Sequence, residues 1–147
     1  MAAILSCSDS RVPVEIIFDQ GIGDLFVARV AGNIATPTII ASLEYGAAVL
    51  GTAAIVVLGH TDCGAVNATI QGKAVPGQIS ALYSYIYPAV QQAHNDVTAV
   101  SKQNARNQAT LLRSASPVLS GLVKKGKLLV VPALYHLDTG QVQMLTE

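Results

Sequence analysis

The chain has 147 residues, enough for one ordinary domain with a buried core. Nine basic residues balance nine acidic ones, which argues against a nucleic-acid binder or a protein held on an acidic membrane surface. Only 12% of residues are charged against 51% hydrophobic, with a mean hydropathy of +0.46; such apolar excess in a small domain points to a subunit interface, hence a homodimer or larger homo-oligomer.

The most apolar uncharged run, residues 45–59, is 15 residues long, whereas a membrane span needs roughly 18 or more. It also divides at Gly51 into a helical and a strand-like half. No basic stretch followed by an apolar core opens the chain, so no signal peptide is expected. With two cysteines in all, the default compartment is the cytoplasm.

In chain order, residues 2–6 (AAILS) form a short apolar run leading into Cys7-Ser8-Asp9-Ser10-Arg11. Residues 25–30 are a second strand candidate, after the turn-like Gly21-Ile22-Gly23-Asp24. Thr36-Pro37 opens a helix, with Thr as N-cap and Pro at the first helical position. Ile39, Leu43, Ala47 and Leu50 share its apolar face, and Gly51 stands where a C-cap glycine belongs. Residues 54–58 (AIVVL) are continuously apolar, the pattern of a strand covered on both faces, and run into Gly59-His60-Thr61-Asp62-Cys63-Gly64. Residues 78–124 read as helical, with breaks near Pro88 and Pro117. Residues 128–134 form another buried strand, and Asp138-Thr139-Gly140 turns the chain into a last antiparallel strand, 141–145. The fold expected is a single α/β domain with a mostly parallel central sheet flanked by helices.

Two polar clusters each follow an apolar strand. In open α/β sheets, ligands bind outside the carboxyl ends of the strands. If the first and third strands are neighbours, Cys7, His60 and Cys63 converge at one end of the sheet. Two thiolates and an imidazole suit tetrahedral zinc and leave a fourth position for catalysis. Taken alone, two free cysteines are more often inert core residues, and a His-x-x-Cys is a weak signal. The position of both clusters at strand ends, with a carboxylate and a guanidinium beside the first, favours the metal. No Cys-x-x-Cys is present, which disfavours thioredoxin-like chemistry.

Asp9 and Arg11 form either an ordinary loop ion pair or, beside a metal, a held carboxylate that orients a water. Gly21-x-Gly23 is too sparse for a dinucleotide fingerprint and reads as a turn. His94 and His136 read as structural or exposed, and Lys124-Lys125-Gly126-Lys127 as a solvated helix end.

At these residues the sequence resembles the β-class carbonic anhydrases. The family's Cys-x-Asp-x-Arg motif reads as Cys7-Ser8-Asp9-Ser10-Arg11, and its His-x-x-Cys-Gly motif as His60-Thr61-Asp62-Cys63-Gly64. The resemblance continues through Asp24-Leu25-Phe26-Val27, Arg29…Gly32-Asn33, Ser42-Leu43-Glu44-Tyr45 and Leu137-Asp138-Thr139-Gly140, so it spans nearly the whole chain. It implies reversible hydration of CO2 to bicarbonate at a Zn2+ bound by Cys7, His60 and Cys63. Asp9 would accept a hydrogen bond from the metal's water, with Arg11 holding Asp9; in a closed state Asp9 would itself be the fourth ligand. The resemblance also implies that Phe26 and Tyr45 help line an apolar pocket at the dimer interface, and that the Gly64 backbone N–H steadies substrate.

Two departures from the family pattern stand out. Only six residues precede Cys7, so residues 1–147 are expected to form the zinc domain without the family's N-terminal helical arm and its upstream Gln. Ile4 stands where the bicarbonate-gated subgroup has a tryptophan, which points to the open-site subgroup. The alternatives are hydrolysis of CS2 or COS on the same scaffold, or a zinc-binding module without catalysis; retention of Asp9 and Arg11 speaks against the latter.

Overall fold

The computed structural model describes residues 1–146. Five strands, β1 (Ala2–Ser6), β2 (Leu25–Arg29), β3 (Ala54–His60), β4 (Leu129–Tyr135) and β5 (Val142–Met144), form one sheet in the order β2-β1-β3-β4-β5. The first four run parallel and β5 pairs antiparallel with β4. This is the expected architecture.

The connections are α1 (Val14–Ile17), α2 (Pro37–Ala48), α3 (Gly64–Gln71), α4 (Tyr83–Ala93), α5 (Val97–Ala115) and α6 (Pro117–Lys124). On one face of the sheet, Ala3, Leu5, Ile55, Val57 and Val130 pack against Leu43 and Ala47 of α2, Ala105, Ala109 and Leu112 of α5, and Leu119 of α6. Parallel strands need such crossover helices, which explains the unbroken apolar reading of β3. The opposite face is thinner: Ile4, Leu58 and Ala133 pack with Val12 and with Val14 of α1, and Val56 and Val27 stay partly exposed. The two-sided covering expected of β3 is therefore complete on one side only within a single chain.

Thr36 caps α2 as anticipated, accepting from the Ile39 amide at 3.5 Å, with Pro37 in the first turn. The helix ends at Ala48; Val49 follows as its C-cap, still right-handed and donating to the Tyr45 carbonyl, and Gly51 then takes φ +73°. Leu50 consequently falls outside the helix and is exposed, while Leu43 and Ala47 are buried. The break expected near Pro88 is not there. Pro88 lies inside α4 on its exposed side, where the carbonyl left unpaired can face water. The helix stops instead at His94 and Asn95, both left-handed at φ 55° and 63°. Pro117 does open a new helix, with Ser116 as its cap. Helix α3, opened by Cys63-Gly64, and the short α1 are elements without a helical signature in the sequence.

Candidate metal centre

Strands β1 and β3 are adjacent and in register, Ser6 lying opposite Leu58. Cys7 follows β1 directly and His60 is the last residue of β3, so both emerge at the same end of the sheet. The left-handed Asp62, φ 54°, then folds the chain back and places Cys63 at the N-cap position of α3. The result is a group of three buried side chains, Cys7, His60 and Cys63, whose ligand atoms all lie within 4.8 Å of one another. Both cysteines are free thiols.

The histidine is oriented for a metal. Its Nδ1 lies 2.8 Å from the Thr61 carbonyl, an acceptor, so Nδ1 carries a proton and Nε2 is the nitrogen left for another partner. Nε2 is fully buried without a hydrogen-bond partner, an arrangement that is costly unless something engages it. Thr61 is itself tied to β4: its amide donates to the Tyr135 carbonyl at 3.0 Å and its hydroxyl accepts from the Leu137 amide at 3.0 Å.

Charge is unevenly divided in the metal-free cluster. The Cys7 thiol is lowered to about 4, chiefly because Cys63 donates a hydrogen bond to its sulfur, with His60 and the Gly32 amide adding to the effect. Cys63 is pushed up in turn by the same contact and by burial. Burial opposes charge on His60, but the neighbouring Cys7 thiolate outweighs it and the imidazole's pKa is raised.

Asp9 stands beside this group rather than in it. Its Oδ1 accepts from the Arg11 backbone amide at 2.9 Å and from Arg11 Nε at 3.0 Å, and its Oδ2 accepts from Arg11 Nη2 at 2.8 Å. Oδ2 is 3.9 Å from His60 Nε2. Asp9 is accordingly not among the three residues whose ligand atoms converge. The Arg11 hydrogen bonds hold the Asp9 carboxyl well below the ordinary carboxylate range despite some burial. Arg11 also reaches Asp62, at 3.2 Å from its carbonyl and 3.5 Å from its carboxylate.

Sequence reasoning passed over the role of Arg29. At the end of β2, its Nε donates to the Cys7 carbonyl at 2.9 Å and its Nη2 to the Asp9 carbonyl at 2.6 Å, fixing the loop that carries both side chains. Its only signal was a place in the motif resemblance. Gly64 opens α3 with free space around its Cα. Phe26 and Tyr45 pair with each other, ring centroids 6.4 Å apart. Phe26 joins the apolar cluster under α2, α5 and α6, not the one containing Cys7 and Cys63, and sits three positions before Arg29, about 10 Å back along the strand. Within one chain these two rings are not part of the cysteine–histidine group.

A family model described as carbonic anhydrase matches residues 2–142. Carbonic anhydrase 2 of Mycobacterium tuberculosis is 36% identical over 95% of this chain and 72% of its own length, and a Pseudomonas aeruginosa carbonic anhydrase is 33% identical over 98% and 72%. Among solved structures, the Coccomyxa β-carbonic anhydrase superposes with TM-score 0.86 at 26% identity, over 99% of this chain and 72% of that one. A tetrameric β-carbonic anhydrase of Sordaria macrospora shares the fold at TM-score 0.90 and 24% identity, over 99% and 80%. With the cysteine–histidine cluster at the end of this sheet and likeness along nearly its whole length, the chain belongs to the β-carbonic anhydrase family.

Proposed function

We propose that this chain catalyses the reversible hydration of CO2 to bicarbonate and a proton, using one zinc ion held by Cys7 Sγ, His60 Nε2 and Cys63 Sγ. The observation that carries the ligand set is the buried, partnerless Nε2 facing two thiols within 4.8 Å. Two thiolates and an imidazole are a donor set zinc favours, and three ligands leave a position open. Zinc bound there supplies Lewis acidity that makes a water far easier to deprotonate.

The remaining work falls to the chain. Asp9, kept ionised by Arg11, has acceptor capacity only; it takes a hydrogen bond from the attacking water and turns the water's lone pair towards the carbon of CO2. Arg11 acts through Asp9, holding it by both oxygens and keeping it off the ligand position. As the C–O bond forms, negative charge develops on the substrate's oxygens, and the Gly64 N–H at the start of α3 is our candidate donor to it. The Arg11 clamp favours this reading over a zinc module without catalysis, since a purely structural site has no use for an oriented carboxylate.

The chain is proposed to work as a homodimer or larger assembly in the cytoplasm. Supporting assembly are the exposed Ile22, Tyr45 and Val49, the open edge of β2, and the tetrameric state named for the Sordaria relative. Phe26 and Tyr45, remote from the cluster in their own chain, would then line a partner's pocket. On location, no helix among the described residues is long and apolar enough to cross a membrane. The functional test is stopped-flow CO2 hydration by the zinc-loaded protein. Turnover that disappears with chelation and returns with zinc supports the proposal; loaded protein with no hydration activity overturns it.

A further inference from the structure

Helix α5 turns two primary amides inward where apolar residues would ordinarily pack. Asn104 has no exposed surface and Gln108 only 3%; four residues apart, they lie on one helix face. Their hydrogen bonds form a chain. Gln108 Oε1 accepts from the Ala35 amide at 2.9 Å, and its Nε2 donates to the Tyr85 carbonyl at 3.1 Å and to Asn104 Oδ1 at 3.1 Å. Asn104 Nδ2 then donates to the Gly32 carbonyl at 2.8 Å. Each amide has one allowed orientation, because the Ala35 N–H can only donate and the carbonyls of Tyr85 and Gly32 can only accept.

The chain of bonds ends at the metal centre. The Gly32 N–H donates to Cys7 Sγ at 3.4 Å, a buried contact. Gly32 sits at φ +76°, and a Cβ there would lie 2.7 Å from Ile86 Cδ1, so its backbone is held both by α5 and by α4. Buried amides cost free energy unless fully paired, and these pair with backbone groups of Gly32, Ala35 and Tyr85 that an apolar side chain would leave without a partner. They therefore fix the backbone on either side of the Gly32 N–H. We infer that Asn104 and Gln108 are positioning residues for the metal centre: they hold the Gly32 N–H against the Cys7 sulfur and so set how firmly the site keeps its metal. The inference rests on zinc being held by Cys7, His60 and Cys63.

The test uses zinc-loaded protein and the rate at which zinc passes to a chromophoric chelator. Asn104→Asp keeps the acceptor for Gln108 but removes the donor to Gly32; Asn104→Leu removes both; Gln108→Met removes the anchor behind Asn104. Each should release zinc about 10- to 100-fold faster than wild type, the usual effect of losing an outer hydrogen bond to a metal ligand. In the cobalt-substituted proteins, the thiolate-to-metal absorption band should shift. Leu119→Ala, which weakens the core without touching these bonds, should lower the melting temperature while leaving release rate and band unchanged. Folded Asn104 variants with wild-type release and absorption overturn the inference. Wild-type protein carries a test of its own: when zinc-loaded, its Gly32 amide should exchange hydrogen as slowly as the middle of α5, and exchange at the rate of an open loop overturns it as well. A wild-type chain that takes up no metal would instead remove the zinc assignment itself, a separate result.

Discussion

Arg11 grips both carboxylate oxygens of Asp9 and leaves Oδ2 3.9 Å from His60 Nε2. The grip does two things at once: it keeps Asp9 ionised and fixes which side of the carboxylate faces the cluster. Asp9→Asn should therefore retain zinc but lose rate by about 100-fold or more, because an amide can present a donor where only an acceptor serves. Arg11→Ala should cost nearly as much, and the double variant should resemble the worse single one, since the two side chains share one task. Steady-state CO2 hydration beside metal analysis checks this; wild-type turnover in both single variants would reduce the pair to a loop ion pair.

The same contact carries a stability signature. Asp9's folded pKa lies below its ordinary 3.8, so its contribution is fully present above that value and is lost as pH falls through the folded one. Wild type should accordingly be more stable than Asp9→Asn at pH 6, with the gap closing steadily below pH 4. Melting temperatures across that range decide it, and a constant gap would show that Asp9 stabilises by something other than its charge.

Metal uptake should depend on pH with a definite sign. Zinc takes thiolates and a neutral imidazole, yet in the metal-free chain Cys63 is held protonated and the pKa of His60 is raised. Binding must release protons, so affinity should rise with pH, by about one to two decades per unit. Calorimetry in buffers of different ionisation enthalpy counts those protons directly. No net release would contradict the ligand set.

Close packing behind the ligand strand is a further point of sensitivity. A Cβ on Gly59 would meet the Ser101 carbonyl oxygen at 3.1 Å, so β3 touches α5 immediately before His60. Gly59→Ala should push strand and helix apart at a cost of about 1–3 kcal/mol, lowering the melting temperature by about 2–4 °C for each kcal/mol. Zinc affinity should fall with it. An unchanged melting curve would show that α5 yields freely there.

Assembly is testable at micromolar concentration by sedimentation. Wild type should sediment as a dimer or larger, and Val49→Glu, placing charge on an apolar side chain that is 64% exposed, should shift it towards monomer. A wild type that is monomeric throughout would overturn the interface assigned to α2 and β2.

Much of this was legible in the sequence because apolar runs make strands, and strand ends make sites. β1 and β3 could be read from AAILS and AIVVL, and the motif residues Cys7, His60 and Cys63 followed at their tips. Local patterns failed where tertiary context decides. Pro88 looked like a break, yet its missing donor falls on the solvent side of α4. Asn104 and Gln108 drew no reading of their own, because nothing local to α5 reveals that Gly32 and Ala35 wait across the core for them. Arg29 was visible only as part of a motif, since its partners lie on a neighbouring strand's exit.

The most direct test of the central claim is a zinc titration of the metal-free protein followed by CO2 hydration at every point, run beside Cys63→Ala. The rate should rise in proportion to bound zinc and stop at about one equivalent per chain, while Cys63→Ala should neither hold zinc firmly nor turn over. Full activity in protein shown by elemental analysis to be metal-free, or in Cys63→Ala, would contradict the account.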